Sequence, residues 1–169
     1  MRFQIFGQAD IAASRGQGEH GSVAVSIREL SLRDRAEIPG LLDVFRPGWD
    51  DGVTDPRATL GTAFVADAHT FCFVAIDDDR PVGWAWGSDL RRPDGRSMAC
   101  LYEMDVVDGR QREGIGALLL EAVHTGARRR GCHKLWVVAD GDNDGAQAFY
   151  AALGGQHDDA GSVVFHWEL

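Results

Sequence analysis

Short apolar runs bounded by turn residues in the middle of the chain are typical of β-strands. They predict strands over Phe71 to Ile76 and Val82 to Trp86, which the polar turn Asp77 to Pro81 joins into a hairpin. A longer apolar stretch from Met98 to Val107 predicts a third strand. This third strand runs directly into a loop that contains several glycines.

After that loop the apolar residues take up the period of an α-helix. They recur at the i, i+3, i+4, i+7 and i+8 positions, namely Ile115, Leu118, Leu119, Ala122 and Val123. Arg128 to Arg130 suit the negative end of the helix dipole, and Gly131 suits a left-handed stop. Lys134 to Ala139 is apolar on both alternating faces, which predicts a buried parallel strand.

The N-terminal part predicts a strand and two helices. The strand covers Val23 to Arg28, and Ser31 is the expected cap of a helix that stops at the Pro47-Gly48 pair. A second helix is predicted over Pro56 to Ala66, since proline suits the first turn. Residues 1–21 are rich in Gly, Gln and Ala, and we interpret them as a flexible leader.

The C-terminal part predicts one more helix and one more strand. The helix carries Ala146, Phe149, Tyr150 and Leu153 on one face, and Ser162 to Glu168 alternate as a closing strand. The order of elements along the chain is therefore βααβββαβαβ. It predicts a single three-layer α/β domain over residues 22–169.

Composition and charge exclude several classes of function. Seventeen Lys and Arg against 26 Asp and Glu give a net charge of −9, which disfavours nucleic-acid partners and favours cationic ones. Apolar runs are too short for a membrane span, so we expect a soluble protein. The three cysteines have no metal-ligand or redox spacing, which indicates reduced thiols and the cytoplasm. No metal site is predicted, and the oligomeric state stays open, with a homodimer as one alternative.

The loop after the third strand is the first candidate for chemistry. A strand, a glycine loop and a helix in succession present backbone N–H groups and the positive end of a helix dipole, which together can hold a pyrophosphate. The spacing from Asp108 to Gly116 matches neither the P-loop of nucleotidases nor the dinucleotide-binding glycine pattern. The alternative is that these glycines only form a tight turn between strand and helix.

Two motifs make the chain resemble the GNAT acetyltransferases. Gln111-x-x-Gly114-x-Gly116 resembles their coenzyme A signature, and a second signature follows in Val137, Asn143, Ala146, Tyr150 and Gly154. The resemblance implies a mixed central sheet with splayed central strands, helices on both faces and acetyl-CoA as cofactor. It also implies a set of cofactor-binding residues: Met104, Val106, Val107, Gln111, Arg112, Glu113, Gly114, Ile115, Gly116, Ala117, Asn143, Ala146 and Phe149.

Three segments are similar to blocks of the type I aminoglycoside 3-N-acetyltransferases. These are Leu101 to Val106, Val138 to Tyr150, and Phe45 to Asp51. The narrower resemblance implies that the acceptor is a cationic small-molecule amine, an aminoglycoside acetylated on the 3-amine of its 2-deoxystreptamine ring. Another amine, such as a polyamine, a protein N-terminus or a lysine, stays open, and so does a non-catalytic acetyl-CoA sensor.

Acyl transfer to an amine needs a base, a polarised carbonyl and an acid, but no covalent nucleophile on the enzyme. Glu103 is the candidate base, because it aligns with an acid of the family and partial burial makes a carboxylate a better proton acceptor. Asp105 has the same strand parity and could share or take the role. Tyr150 is the candidate acid, and its alternative role is core packing. The backbone N–H of Val106 or Val107 is the candidate for polarising the carbonyl.

Acidic residues near the expected acceptor mouth form the candidate substrate site. Alongside Glu103, these are Asp50, Asp51, Asp140, Asp142 and Asp144, with Trp49 as a lining aromatic residue. As a group they would form an anionic wall for several ammonium groups. Taken singly, each aspartate is equally well explained as part of a solvated loop.

Overall fold

A computed structural model describes residues 25–47 and 57–157, and its sheet has five strands in the order β1-β2-β3-β4-β5. The strands are β1 (Ser26–Glu29), β2 (Thr70–Asp77), β3 (Arg80–Arg91), β4 (Ser97–Val106) and β5 (Cys132–Val137). The helices are a 3₁₀ helix (Leu32–Glu37), α1 (Ile38–Phe45), α2 (Arg57–Ala66), α3 (Ile115–Arg129) and α4 (Asp144–Ala152). The first four strands pair antiparallel and β5 pairs parallel to β4, so the predicted mixed sheet is confirmed.

Helices cover both faces of the sheet, as the sequence predicts. On one face, Leu41 and Phe45 of α1 pack with Cys72, Val74 and Trp84 in one apolar cluster. On the other face, α3 lies so close to the strands that a Cβ at Gly126 would be 2.6 Å from the ring of Phe73. Alternate residues along β2 therefore face opposite helical layers, which explains why the strand is apolar throughout.

The first predicted helix is present, but it is interrupted. Ser31 caps it as expected: its hydroxyl accepts a hydrogen bond from the Arg33 N–H at 3.3 Å, and Asp34 Oδ2 accepts from the Ser31 N–H at 2.7 Å. The capped segment is only a 3₁₀ helix, and α1 begins at Ile38 with Pro39 in its first turn. Proline has no N–H and its ring collides with the preceding turn, which disfavours a regular α-helix through this position.

The predicted hairpin is confirmed, with a tighter turn than expected. Asp78 and Asp79 alone connect β2 to β3, and both have positive φ angles, 46° and 61°. A two-residue turn of this hand matches the twist of the flanking strands, and aspartate tolerates the left-handed region better than most residues. The strands therefore extend to Asp77 and from Arg80.

The prediction of a buried strand over Lys134 to Ala139 is wrong in two respects. The strand begins earlier and ends at Val137, and within it Trp136 is exposed while Leu135 is only half-buried. Among the residues that the structure describes, β5 pairs with β4 alone. The predicted closing strand Ser162 to Glu168 and the leader over residues 1–21 lie outside the described residues.

A β-bulge interrupts the pairing of β3 with β4. Trp86 pairs with Glu103 and Gly87 pairs with Leu101, so Tyr102 is an extra residue on β4. The strands approach so closely here that a Cβ at Gly87 would lie 1.9 Å from the carbonyl oxygen of Cys100. Only glycine fits at this position, and the bulge depends on it.

The chain divides into two compact units, one up to Val137 and one from Val138 onward. Of the described elements, the first unit contains the five strands, α1, α2 and α3, and the second contains α4. No helix within residues 25–47 and 57–157 is long and apolar enough to cross a membrane.

Replacing Gly87 by alanine should destabilise the protein by about 2 to 4 kcal/mol, because the added methyl group forces the β3 and β4 backbones apart. The matched control is Gly40→Ala in α1, where an added Cβ meets nothing within 4 Å. Alanine is the better helix former, so that change should stabilise by about 0.5 to 1 kcal/mol. Urea unfolding of both variants measures the two free energies, and equal signs would contradict the role of Gly87.

Candidate active site

The candidate site begins where β4 extends beyond the end of its pairing with β5. The β4–β5 ladder ends at the pair Leu101 and Val137, while β4 continues to Val106. The Val107 N–H donates to the carbonyl of Val82 at 3.0 Å, on the β3 side. Successive N–H groups of a strand point to opposite edges, so the Val106 N–H points away from β3. It donates to the Oδ1 of Asp105 at 2.7 Å.

The loop that follows β4 closes back on the strand end. Gln111 donates from its side-chain amide to the carbonyl of Val106 at 3.1 Å and to Asp108 at 3.4 Å. The backbone takes positive φ angles at Gly109, Arg112 and Gly114, of which Arg112 is the costly one because it carries a side chain. Gln111 thus holds the carbonyl group of Val106 in place.

Arg110 holds the loop against the hairpin. Its guanidinium bonds the carboxylate of Glu113 at 2.8 Å and that of Asp77, and these two bonds raise the pKa of Arg110. One guanidinium is thereby shared by two carboxylates, and it offsets one of their two negative charges. The pairing weakens the repulsion between Glu113 and an anion bound to the neighbouring backbone.

The N-terminus of α3 has the properties of an anion site. Gly114 caps the helix with φ 87° and ψ 0°, and the Leu118 N–H makes the first helical bond to its carbonyl at 3.1 Å. The N–H groups of Ile115, Gly116 and Ala117 precede that bond, so they have no partner within the helix. A Cβ at Gly114 would meet nothing within 4 Å, which leaves room for a phosphate to approach the backbone.

Glu103 lies on the β4 face that α1 covers. Its Oε2 accepts a hydrogen bond from the Trp86 indole N–H at 3.2 Å and forms an ion pair with Arg46 at 2.5 Å. Only 14% of the Glu103 side chain is exposed, against 49% for Arg46. The carboxylate is therefore held by a rigid indole on one side and a half-exposed guanidinium on the other.

An aromatic surface adjoins this carboxylate. The Tyr102 ring stacks on Trp86 with centroids 4.6 Å apart, and Tyr102 is 70% exposed. Trp84 lies against Phe45 with ring centroids 5.0 Å apart, and its buried indole N–H has no hydrogen-bond partner among the residues that the structure describes. The extra residue at the bulge explains why Tyr102 and Glu103, although adjacent in sequence, both reach Trp86.

Asp105 pairs with Trp84 across the ladder, two residues beyond Glu103 and on the same face, as the predicted strand parity requires. Although Asp105 is exposed as a residue, desolvation of its carboxyl and the negative charge of Glu103 raise its pKa, against the Val106 N–H and Arg46, which lower it. Two interacting carboxylates therefore line the open end of β4.

The second unit carries the remaining candidates. Asn143 caps α4 by accepting a hydrogen bond from the Ala146 N–H at 2.9 Å. The rings of Phe149 and Tyr150 meet edge to face at 5.2 Å, and desolvation raises the pKa of Tyr150. Asn143 thus has a structural role in addition to any role in cofactor binding.

The acidic candidates separate into two groups. Asp140, Asp142 and Asp144 are exposed around the start of α4, where Asp144 in the first turn also stabilises the helix dipole. Trp49, Asp50 and Asp51 lie outside the described residues. Within the part of the chain that the structure describes, no group of three or more His, Cys, Asp or Glu side chains is arranged to hold a metal ion.

Sequence reasoning missed three residues of the site: Arg46, Trp86 and Tyr102. Nothing in the sequence links Arg46 to Glu103, because that contact depends on how α1 docks on the sheet. The hairpin register could have placed Trp86 opposite Glu103, but the bulge at Tyr102 shifts that register and leaves no sequence signal beyond Gly87.

Solved structures with the same fold include several acetyltransferases. An aminoglycoside acetyltransferase, meta-AAC0020 from an uncultured soil metagenomic sample, solved in complex with sisomicin, is 22% identical with a TM-score of 0.76, covering 86% of this chain and 96% of that one. The aminoglycoside N-acetyltransferase AAC(6')-Iy in complex with CoA is 22% identical with a TM-score of 0.72, covering 90% and 99%.

A further neighbour has a different kind of acceptor in its name. The ribosomal-protein-alanine N-acetyltransferase of Brucella melitensis biovar Abortus 2308 is 22% identical with a TM-score of 0.62, covering 85% of this chain and 100% of that one. At these identities the likenesses show the fold alone. No curated protein matches the chain in sequence.

The family follows from the sequence itself. The model of the acetyltransferase (GNAT) family matches residues 38–154, which is more than half of the chain and includes β4, the loop, α3 and α4. GNAT acetyltransferases use acetyl-CoA, and the loop and α3 N-terminus described above suit its pyrophosphate. The chain belongs to the GNAT acetyltransferase family.

Proposed function

We propose that this protein transfers the acetyl group of acetyl-CoA to an amine of an aminoglycoside, at the 3-amino group of the 2-deoxystreptamine ring. The observation that carries the proposal is the half-buried carboxylate of Glu103 beside the exposed ring of Tyr102, on the strand that leads into the anion loop. A carboxylate beside an aromatic face suits an ammonium on a sugar ring. The net charge of −9 and the sisomicin-bound neighbour support a polycationic acceptor.

The backbone from Arg112 to Ala117 is proposed to hold the pyrophosphate of the cofactor. The positive φ at Gly114 and the space above it allow this approach, and the ion pair with Arg110 offsets part of the negative charge of Glu113. Bound acetyl-CoA supplies an acetyl thioester, whose carbonyl is the electrophile for an amine. Val106 is the better candidate for polarising that carbonyl, because the Val107 N–H is held in the sheet by the Val82 carbonyl. The Val106 N–H donates only to the side chain of Asp105, which can turn away when the carbonyl arrives.

Glu103 is the proposed base. An aminoglycoside amine arrives mostly as ammonium, so Glu103 Oε2 must take its proton before the nitrogen can attack. Asp105 lies near enough for its charge to act on Glu103, and its raised pKa makes it the alternative acceptor. Tyr150 is the proposed acid for the departing thiolate, since desolvation keeps its hydroxyl protonated.

The acceptor class is tested with purified protein and acetyl-CoA. We expect thiol release with gentamicin and sisomicin at least ten times faster than with spermidine or a peptide that begins with alanine. Nuclear magnetic resonance of the product should place the acetyl group on the 3-amine. Acetylation of the 6′-amine would refute the regiochemistry, efficient acetylation of the peptide would refute the acceptor, and cofactor binding with no turnover would favour the sensor.

Replacing Gly114 by alanine should weaken coenzyme A binding about tenfold. An L-residue at this φ costs about 1 to 2 kcal/mol, and the methyl group enters the space proposed for the phosphate. Gly95→Ala is the matched control, because Gly95 has φ 80° and equally open surroundings in the loop between β3 and β4. Calorimetric titration with coenzyme A should find wild-type affinity in the control, and equal affinities in both variants would contradict the site.

Replacing Tyr150 by phenylalanine should lower kcat by about 10² to 10⁴-fold with little change in KM, since general acids contribute on that scale. The sign of the pKa shift sets the pH dependence. Because the pKa is raised above its usual 10.0, the wild-type hydroxyl stays protonated, and kcat should not fall through this group until pH exceeds that value. An unchanged kcat in the variant would assign the acid to water.

A further inference from the structure

Arg46 occupies the place at which an acceptor ammonium would meet Glu103. It follows the last residue of α1, where its backbone N–H donates to the Leu42 carbonyl at 2.8 Å. Its guanidinium lies 2.5 Å from Glu103 Oε2. The contact joins two residues far apart in sequence, and its arginine end is the exposed one.

We propose that Arg46 is an internal competitor of the acceptor: it neutralises Glu103 in the free enzyme and must be displaced by a substrate ammonium before acetyl transfer. Arg46 is thereby a specificity-determining residue that favours polycations over monoamines. The inference rests on the proposed function, because it takes Glu103 as the group that receives the acceptor amine.

The two ends of the ion pair differ in how firmly they are held. Glu103 is largely buried on a central strand, and the Trp86 indole donates to the same oxygen, so the carboxylate stays in place when its partner leaves. Arg46 is half-exposed beyond the end of a helix, and its long side chain can be taken up by water at little cost. Displacement therefore moves Arg46 and leaves the base in position.

The exchange also affects the chemistry of the base. A neighbouring guanidinium is always charged and has no proton to give to the carboxylate. An ammonium in the same place is different, since it can transfer one proton from nitrogen to Glu103 Oε2 and become the neutral nucleophile. The base becomes effective only when the acceptor has replaced Arg46.

The preference for polycationic acceptors follows from the number of ammonium groups that each acceptor carries. A monoamine replaces one cation on Glu103 by another and gains little. A polyamine gains the same contact and still has charges left for Asp105, which lies on the same face of β4. Acceptors with several amines are therefore the ones that can displace Arg46.

The test compares Arg46→Gln and Arg46→Lys with wild type, using gentamicin as the polycation and glucosamine as the monoamine. Arg46→Gln should lower the KM for gentamicin about fivefold, the scale of a partly exposed ion pair. Its kcat should stay within about twofold, and glucosamine should become a measurable substrate. Arg46→Lys keeps a competing cation and should resemble wild type.

Arg96→Gln is the matched control, because it removes the same charge from an ion pair with Asp94, in the loop before β4. It should leave the KM for gentamicin unchanged. Glu103→Gln added to Arg46→Gln should abolish the gain in gentamicin affinity, measured by calorimetry without turnover.

The outcomes separate the two hypotheses. Tighter gentamicin binding by Arg46→Gln without acetylation would refute the proposed function and support the competitor. Acetylation by wild type with an unchanged or raised KM in Arg46→Gln, or with a fall in kcat, would overturn the competitor role and leave the function standing. Absence of gentamicin binding to both proteins would overturn both.

Discussion

The register shift between β3 and β4 is the constraint on which the candidate site depends. Gly87 lets the two backbones meet at the Cys100 carbonyl, and Tyr102 becomes the extra residue. Because of that one residue, Tyr102 and Glu103 both reach Trp86, one by stacking and the other by a hydrogen bond. In a regular ladder, adjacent residues would point to opposite faces, and an exposed aromatic ring would not adjoin the half-buried carboxylate.

Most of the fold could be predicted from local sequence. The hairpin, β4, α3 and the left-handed stop at Gly131, whose φ is 73°, follow from apolar period and turn chemistry. Two features could not be predicted by that reasoning. The apolar residues Leu135 and Trp136 do not by themselves predict burial. A strand has the same apolar sequence whether or not other elements cover its faces. Pro39 was visible in the sequence, but whether a proline starts a helix or divides one depends on the residues that precede it.

The candidate site also has one part that the sequence predicted and one part that it did not. The loop from Asp108 to Gly116 is contiguous, so the succession of strand, glycine loop and helix predicted an anion-binding turn, with a plain tight turn as the alternative. The surroundings of Glu103 are not contiguous: Arg46 and Trp86 lie on two other elements, and only docking of α1 and the shifted register bring them to the carboxylate. Strand parity nevertheless placed Asp105 correctly on the same face as Glu103, because the bulge at Tyr102 precedes both residues.

Arg46 and Arg110 both form ion pairs with carboxylates of the candidate site, but the two pairs differ in how easily they can be broken. In a chain of net charge −9, carboxylates near an anion loop or a proposed base need partners. Arg110 is bonded to two carboxylates, Asp77 and Glu113, and only 29% of its side chain is exposed, so it fixes the loop.

Arg46 contacts Glu103, and 49% of the Arg46 side chain is exposed. Displacing Arg110 leaves two carboxylates without their guanidinium partner, whereas an ammonium that replaces Arg46 at Glu103 becomes the new partner of that carboxylate. The difference in geometry therefore assigns a structural role to Arg110 and makes Arg46 the one that a substrate can replace.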